Sequence, residues 1–295
     1  EIPQFRGDNL IKNPQLVVRS LVYCRNGRKK EKMRFPKALQ PAQVTILGYG
    51  ALQSESSSRL TFPDLTNFRH VRVKNMRRVF GHPHLFLLNE EGLYDASPAV
   101  GSLKIASLSA EPVSSTSTNN SNSSIVSSSN CISFVAAAFD VTLDDAQRID
   151  FIKREPEYKI TTTPFFSLED DEDHHNKNNV NYGNNVESVA QPAGEGVICV
   201  ASQDAAIPDV IKTMKPSNIP SVWHLSHDSG ILPFDIYLRH CLLSVEKVGG
   251  KPHESFLHET YLADRHTTLA EYLDKNGEEV LASRPPPHLA ARFSG

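Results

Sequence analysis

The stretch of this chain best placed to do chemistry is Val44-Thr45-Ile46-Leu47-Gly48-Tyr49-Gly50-Ala51-Leu52. Its first half is a short apolar, β-branched run that reads as a buried strand. Its second half places two glycines around a tyrosine. Glycine permits positive φ and lets a ligand approach the backbone closely. A loop leaving a buried strand can turn several backbone N–H groups toward one negatively charged oxygen. Taken alone, Gly-Tyr-Gly reads more readily as a plain strand and turn. The other candidates are scattered. His224 and His227 form an H-x-x-H beside Asp228, but spacing supplies no third ligand and turn residues surround the pair, so exposed or structural histidines are expected. Ser226-His227-Asp228 is contiguous and cannot act as a triad, whose members meet in space. The acidic run Glu169–Asp173 with His174-His175 reads as a solvated loop. Arg77-Arg78 fits either carboxylate recognition or a charged strand face.

The elements that must position these groups can be read in order. Alternation around Arg69–Val73 predicts a half-buried strand, and Leu85-Phe86-Leu87-Leu88 predicts another. Ile132–Val141 reads as a buried strand. Thr142-Leu143-Asp144-Asp145 supplies a cap and first-turn acids for a helix, which should stop near Arg154 because Pro156 disfavours helical geometry in Glu155. Tyr158–Phe166 and Gly196–Ser202 read as paired strands across an insertion at 169–193. A second Ser/Asn/Thr-rich insertion at 107–130 lacks the apolar content to offset ordering entropy. The last third is helical from about residue 230. Pro233 suits a first helical position. Phe234, Tyr237, Leu238, Cys241, Leu242, Val245 and Val248 form an apolar stripe that Gly249-Gly250 should end. Thr268–Glu271 matches a capping box, and Asn276-Gly277 should stop the helix that follows. Residues 276–295, with Pro285-Pro286-Pro287, read as a loose tail, and residues 1–40 as a mobile basic arm.

Composition sets bounds on function. The 295 residues carry a net charge of −3 and are 39% hydrophobic, enough to bury roughly three quarters of the unfolded surface. That charge balance gives no general attraction to nucleic acid or anionic membrane. The basic run Arg25–Arg34 lacks the interleaved aromatics of a base-stacking surface. No apolar run approaches a membrane span of about 20 residues. Cys24, Cys131, Cys199 and Cys241 are widely spaced, which favours reduced thiols inside the cell, in the cytoplasm. The chain begins at Glu1, which leaves room for a removed organellar targeting segment.

Two motifs, in this order, suggest a family. Gly48-Tyr49-Gly50-Ala51-Leu52 after a strand resembles the Y-G-S-L or Y-G-S-N loop of the γ-glutamylcyclotransferase-like superfamily. Phe139–Tyr158 (FDVTLDDAQRIDFIKREPEY) resembles that group's second signature, in which a strand and helix lead to an (R/Q)-E motif and a tyrosine. The likeness covers roughly residues 42–105, 131–168 and 194–202. The segments Tyr237–Leu242 and Phe256–Leu273 look like an extension found in a eukaryotic subgroup. The resemblance implies an α+β fold, a mixed β-barrel with packed helices and a C-terminal helical extension. It implies a cavity where the Gly48–Leu52 loop meets Glu155, a small γ-glutamyl substrate such as glutathione, and no cofactor. In the family's reaction the α-amine attacks its own γ-carbonyl, a 5-oxoproline ring closes and an amine or peptide leaves. Glu155 would then be the general acid/base, the amides of Gly50, Ala51 and Leu52 would hold substrate oxygens, and Tyr49 and Tyr158 would line the pocket. Ala51 stands where many members have Ser. Glu157 rivals Glu155, and without the resemblance either one reads as a surface carboxylate. The alternative is an inactive barrel that serves as a binding or regulatory module, with the C-terminal helices as a protein-partner surface.

Overall fold

The structure is a computed structural model that describes residues 35–89, 103–113, 132–169, 191–213 and 221–294. The basic run Arg25–Arg34, Cys24, Cys131 and the acidic-histidine run from Asp170 lie outside the described residues. The described elements begin with strand β1 (Gln43–Gly48), helix α1 (Glu55–Thr61), strands β2 (Thr66–Lys74) and β3 (Met76–Pro83), and the short helix α2 (Leu85–Asn89). Strands β4 (Leu103–Pro112) and β5 (Ser133–Thr142), helix α3 (Asp145–Arg154), and strands β6 (Lys159–Ser167) and β7 (Gly194–Val200) follow. The last third holds α4 (Pro208–Thr213), β8 (Ile231–Pro233), α5 (Asp235–Glu246), α6 (Gly250–His258), β9 (Thr260–Tyr261) and α7 (Leu269–Ala282).

Five strands close into a mixed barrel. β1 pairs antiparallel with β5, β5 with β2, β2 with β6 and β6 with β7. β7 then returns to β1 as a parallel neighbour at Ile46 and Val197. Outside this ring, β4 joins β7 in parallel at Ala110 and Val200, and β3, β8 and β9 extend the sheet. The fold is therefore α+β, as expected. Period-two alternation divides the strands between two cores, because successive side chains point to opposite faces. Leu47, Phe134, Ala136, Ala138, Ile198 and Val200 face a core completed by Leu238, Val245 and Phe256 of the C-terminal helices. Val44, Ile46, Phe139, Val141 and Val197 face a second core with Phe151 of α3.

Several local expectations need correction. Leu85-Phe86-Leu87-Leu88 lies in helix α2, not a strand. Four apolar residues carry no period, and Leu88 N donates to His84 O as the chain turns after Pro83. Ser107–Pro112, assigned by composition to an insertion, completes β4. Ser107 and Ser109 alternate with Leu108 and Ala110, and the whole stretch pairs with β3. Pro233 ends β8, and Phe234 is the residue before α5. Helix α7 does carry the Thr268–Glu271 capping box, but it runs through Asn276-Gly277 to Ala282. Asn276 Nδ2 donates to Tyr272 O, and Val280 is fully buried beyond it. That burial outweighs the ~1 kcal/mol a helical glycine costs. The tail is docked, with Leu289 and Phe293 packed against Phe234, Ile236 and Phe86.

One charged side chain ties these layers together. Arg78 on β3 is 0% exposed. Its guanidinium donates to Thr260 Oγ1 at 2.7 Å, Val135 O at 3.1 Å, Tyr49 O at 3.3 Å and Ser255 O at 2.7 Å. The rings of Phe134 and Phe256 lie 5.1 and 4.8 Å from it. Burial lowers its pKa to about 9, which still leaves it charged at neutral pH. Arg78→Lys offers a point charge in place of the planar fork and strands several buried acceptors. We expect roughly 3 kcal/mol or more of lost stability, read as a lower urea midpoint at unchanged slope. A midpoint equal to wild type would show that the fork is dispensable.

Candidate functional site

The register brings the two sequence motifs to one end of the barrel. β1 and β7 run parallel, so Gly48 and Val200 exit at the same end. Lys159 pairs with Val200, so the turn that precedes β6 lies at that end too. This turn is Glu155–Tyr158, closed by Tyr158 N donating to Glu155 O at 3.3 Å. It follows directly from α3, whose start is fixed by a capping box between Asp144 and Gln147. The cap is Asp144, one of the two residues expected as first-turn acids, and the helix starts one residue later at Asp145.

The Gly48–Leu52 loop is held from behind. A Cβ on Gly48 would lie 2.5 Å from Leu52 Cβ, so only glycine lets the chain fold back here. Gln53 N donates to Gly50 O, which places the amides of Ala51 and Leu52 ahead of the first bonded amide of a 3-10 turn. Such leading amides have no acceptor within their own turn. Ser244 Oγ on α5 donates to Ala51 O at 2.7 Å and accepts from Ser54 N at 3.1 Å. Arg78 holds the Tyr49 carbonyl.

Two carboxylates share the opposite side. Glu155 caps α3, retains 22% side-chain exposure and pairs with Arg154 Nε at 3.2 Å. Burial raises its pKa, against the pull of Arg154 and Arg292. Glu157 is only 8% exposed. Burial, with the like charge of Glu155, raises its carboxyl to about 8. Burial thus raises both carboxyls, and the neighbouring Arg154 opposes the rise at Glu155.

Aromatic rings gather at the same end. Tyr49 Oη donates to Cys199 O at 2.6 Å, and Tyr158 Oη donates to Leu108 O at 2.7 Å. Both hydroxyls thus bond to strand carbonyls, and Tyr158 does not donate to Glu155. Burial raises the pKa of both phenols, and both glutamates add to the effect, which puts the four side chains in one neighbourhood. Sequence reasoning missed three further members. Tyr237, in the α5 stripe, sets its hydroxyl 2.9 Å from where a Gly50 Cβ would stand. Trp223 stacks on His82 at 4.4 Å, and its Nε1 donates to Glu157 O at 2.8 Å. His82 is fully buried with neither ring nitrogen hydrogen-bonded, and burial lowers its pKa well below the usual range. Tyr237 is hidden as an apolar stripe residue, and Trp223 and His82 sit in segments with no period.

The other sequence candidates lie elsewhere. Arg78 binds carbonyls and hydroxyls rather than a carboxylate, and Arg77 lies 5.6 Å from the Tyr261 ring. His224 is exposed and 3.7 Å from Asp204. Among the described residues no group of three His, Cys, Asp or Glu side chains could hold a metal ion. No helix among them is long and apolar enough to cross a membrane. An open groove lined by Val44, Thr45, Asp140, Thr162 and Glu195 lies toward the opposite end of the barrel.

The raised pKa of Glu157 has a signed consequence for stability. The folded state keeps its proton up to about pH 8, whereas an unfolded glutamate loses it near pH 4.3. Between those values the folded state binds more protons, so stability contributed by this group falls as pH rises. Urea unfolding from pH 5 to pH 9 should show this decline, and Glu157→Gln should flatten it. An identical pH slope in wild type and variant would contradict the assignment.

No family model matches the chain, and no curated protein matches it. Solved structures similar to it include one described as a gamma-glutamyl cyclotransferase, at 6% identity and TM-score 0.31, covering 61% of this chain and 92% of that one. An uncharacterized protein from Homo sapiens is similar at 7% identity and TM-score 0.31, covering 61% and 93%. A yeast gamma-glutamyl cyclotransferase specific to glutathione is similar at 11% identity and TM-score 0.35, covering 86% and 93%.

Proposed function

We propose that the protein is a γ-glutamylcyclotransferase-like lyase that releases 5-oxoproline from a small γ-glutamyl peptide or amine. The observation that carries this reading is the meeting of the Gly48–Leu52 turn, Glu155, the buried Tyr49 and the half-buried Tyr158 and Tyr237 at one end of a closed barrel. Ring closure needs the α-amine held against its own γ-carbonyl, a proximity effect. It also needs a base for the α-ammonium and donors for the oxyanion that develops on the γ-carbonyl. Glu155, partly open to the mouth and raised by burial, is suited to take the proton. The leading amides of Ala51 and Leu52 are suited to hold oxygen, with Gly50 supplying close approach. Tyr49 and Tyr158 serve as walls, since their hydroxyls are engaged with the strands.

That same engagement favours a second reading. Both hydroxyls are committed and Tyr237 stands close against Gly50, a crowding that suits a barrel retained for binding, with the C-terminal helices as its partner surface. The two readings separate on 5-oxoproline release from glutathione, γ-glutamyl amino acids and γ-glutamyl-lysine. Release by wild type, lowered about a hundredfold or more in Glu155→Gln, is the expected result for a general acid/base. Folded wild type that releases none from any of them is a binding module.

A further inference from the structure

Ring closure involves proton transfer at two nitrogens, the one that attacks and the one that departs. The structure offers two carboxyls of different character for them. Glu155 and Glu157 stand at the first and third positions of one β-turn, separated by Pro156. Glu155 keeps an open edge and an arginine partner. Glu157 is more buried, and the indole of Trp223 donates to its backbone carbonyl. The strand register sets the turn that carries both at the barrel end where the Gly48–Leu52 loop leaves β1.

We propose that Glu157 is a second catalytic proton carrier, donating to the departing nitrogen while Glu155 accepts from the attacking one; this rests on the cyclotransferase reading above. Glu155 first takes a proton from the α-ammonium. The free amine attacks the γ-carbonyl carbon, a nitrogen–carbon bond forms, and the carbonyl electron pair moves to oxygen. The pair returns as the bond to the leaving nitrogen breaks, and that nitrogen takes the Glu157 proton. The ring nitrogen's surplus proton restores Glu157, and the proton on Glu155 leaves with the product amine. Both carboxyls finish as they began, and no oxidant or reductant enters. The environments described above fit these roles, since a carboxyl titrating near 8 is still protonated at neutral pH.

A leaving-group comparison tests the division. A γ-glutamyl alkylamide expels a strongly basic nitrogen that must be protonated, whereas γ-glutamyl-p-nitroanilide expels a weakly basic one that need not be. Glu157→Gln should lower kcat on the alkylamide about a hundredfold and keep the anilide within about threefold of wild type. Glu155→Gln should lower both. Wild-type kcat on the alkylamide should fall above about pH 8, and this limb should be absent for the anilide. Equal losses on the two substrates in Glu157→Gln, or no loss on either, would overturn the division and leave the cyclotransferase reading intact. Folded wild type that releases 5-oxoproline from neither substrate would overturn both. A melting temperature for Glu157→Gln at or above that of wild type at pH 8 assigns any loss to chemistry rather than folding.

Discussion

A single buried guanidinium holds the architecture together. Arg78 lies in the interior without a carboxylate, so its charge is compensated by oriented carbonyls, two hydroxyl oxygens and two aromatic faces. Burying a charge this way is costly unless every donor finds an acceptor. Its acceptors come from the site loop, barrel strand β5, helix α6 and strand β9. The position of the loop after β1 is therefore not decided by its own glycines alone. It depends on the C-terminal third of the chain being docked, and the reverse also holds. Further ion pairs tie the C-terminal third to the sheet, among them Arg72 with Glu259 at 2.6 Å, Arg265 with Glu111 at 2.7 Å and Lys104 with Asp235 at 3.0 Å.

The parts legible in the sequence are those with local physical causes. The capping box at Thr268, the helix stop before Pro156, and the buried runs of β1 and β5 each follow from a few neighbouring residues. The pairing of Glu155 with the glycine loop was legible through motif order and resemblance, and the strand register brings the two to the same end. What stayed hidden depends on tertiary context. Arg78 follows Arg77 and looks like a strand-face charge, yet the acceptors that make its burial tolerable lie up to 182 residues away. Ser107 and Ser109 look like linker until β3 is laid beside them. Asn276-Gly277 looks like a stop until Val280 finds its place in the core.

The C-terminal helices are part of the site rather than an addition to it. Ser244 bonds the loop on two sides, and Tyr237 stands against Gly50. Behind Tyr237, Leu289 and Phe293 cover the same apolar cluster, so the last residues described support the wall of the pocket. The small side chain at position 50 and the large one at 237 are complementary. Any side chain larger than hydrogen at the first would displace the hydroxyl of the second.

Trp223 has a consequence of a different kind. It is the only tryptophan among 295 residues, and it lies against His82 and Tyr158 beside Glu157. The whole indole emission of the protein therefore originates at this site. A ligand entering the mouth, or a proton arriving on the stacked imidazole, would change that emission with no background from the rest of the fold. The molecule thus carries its own optical probe at the place where its chemistry is in question.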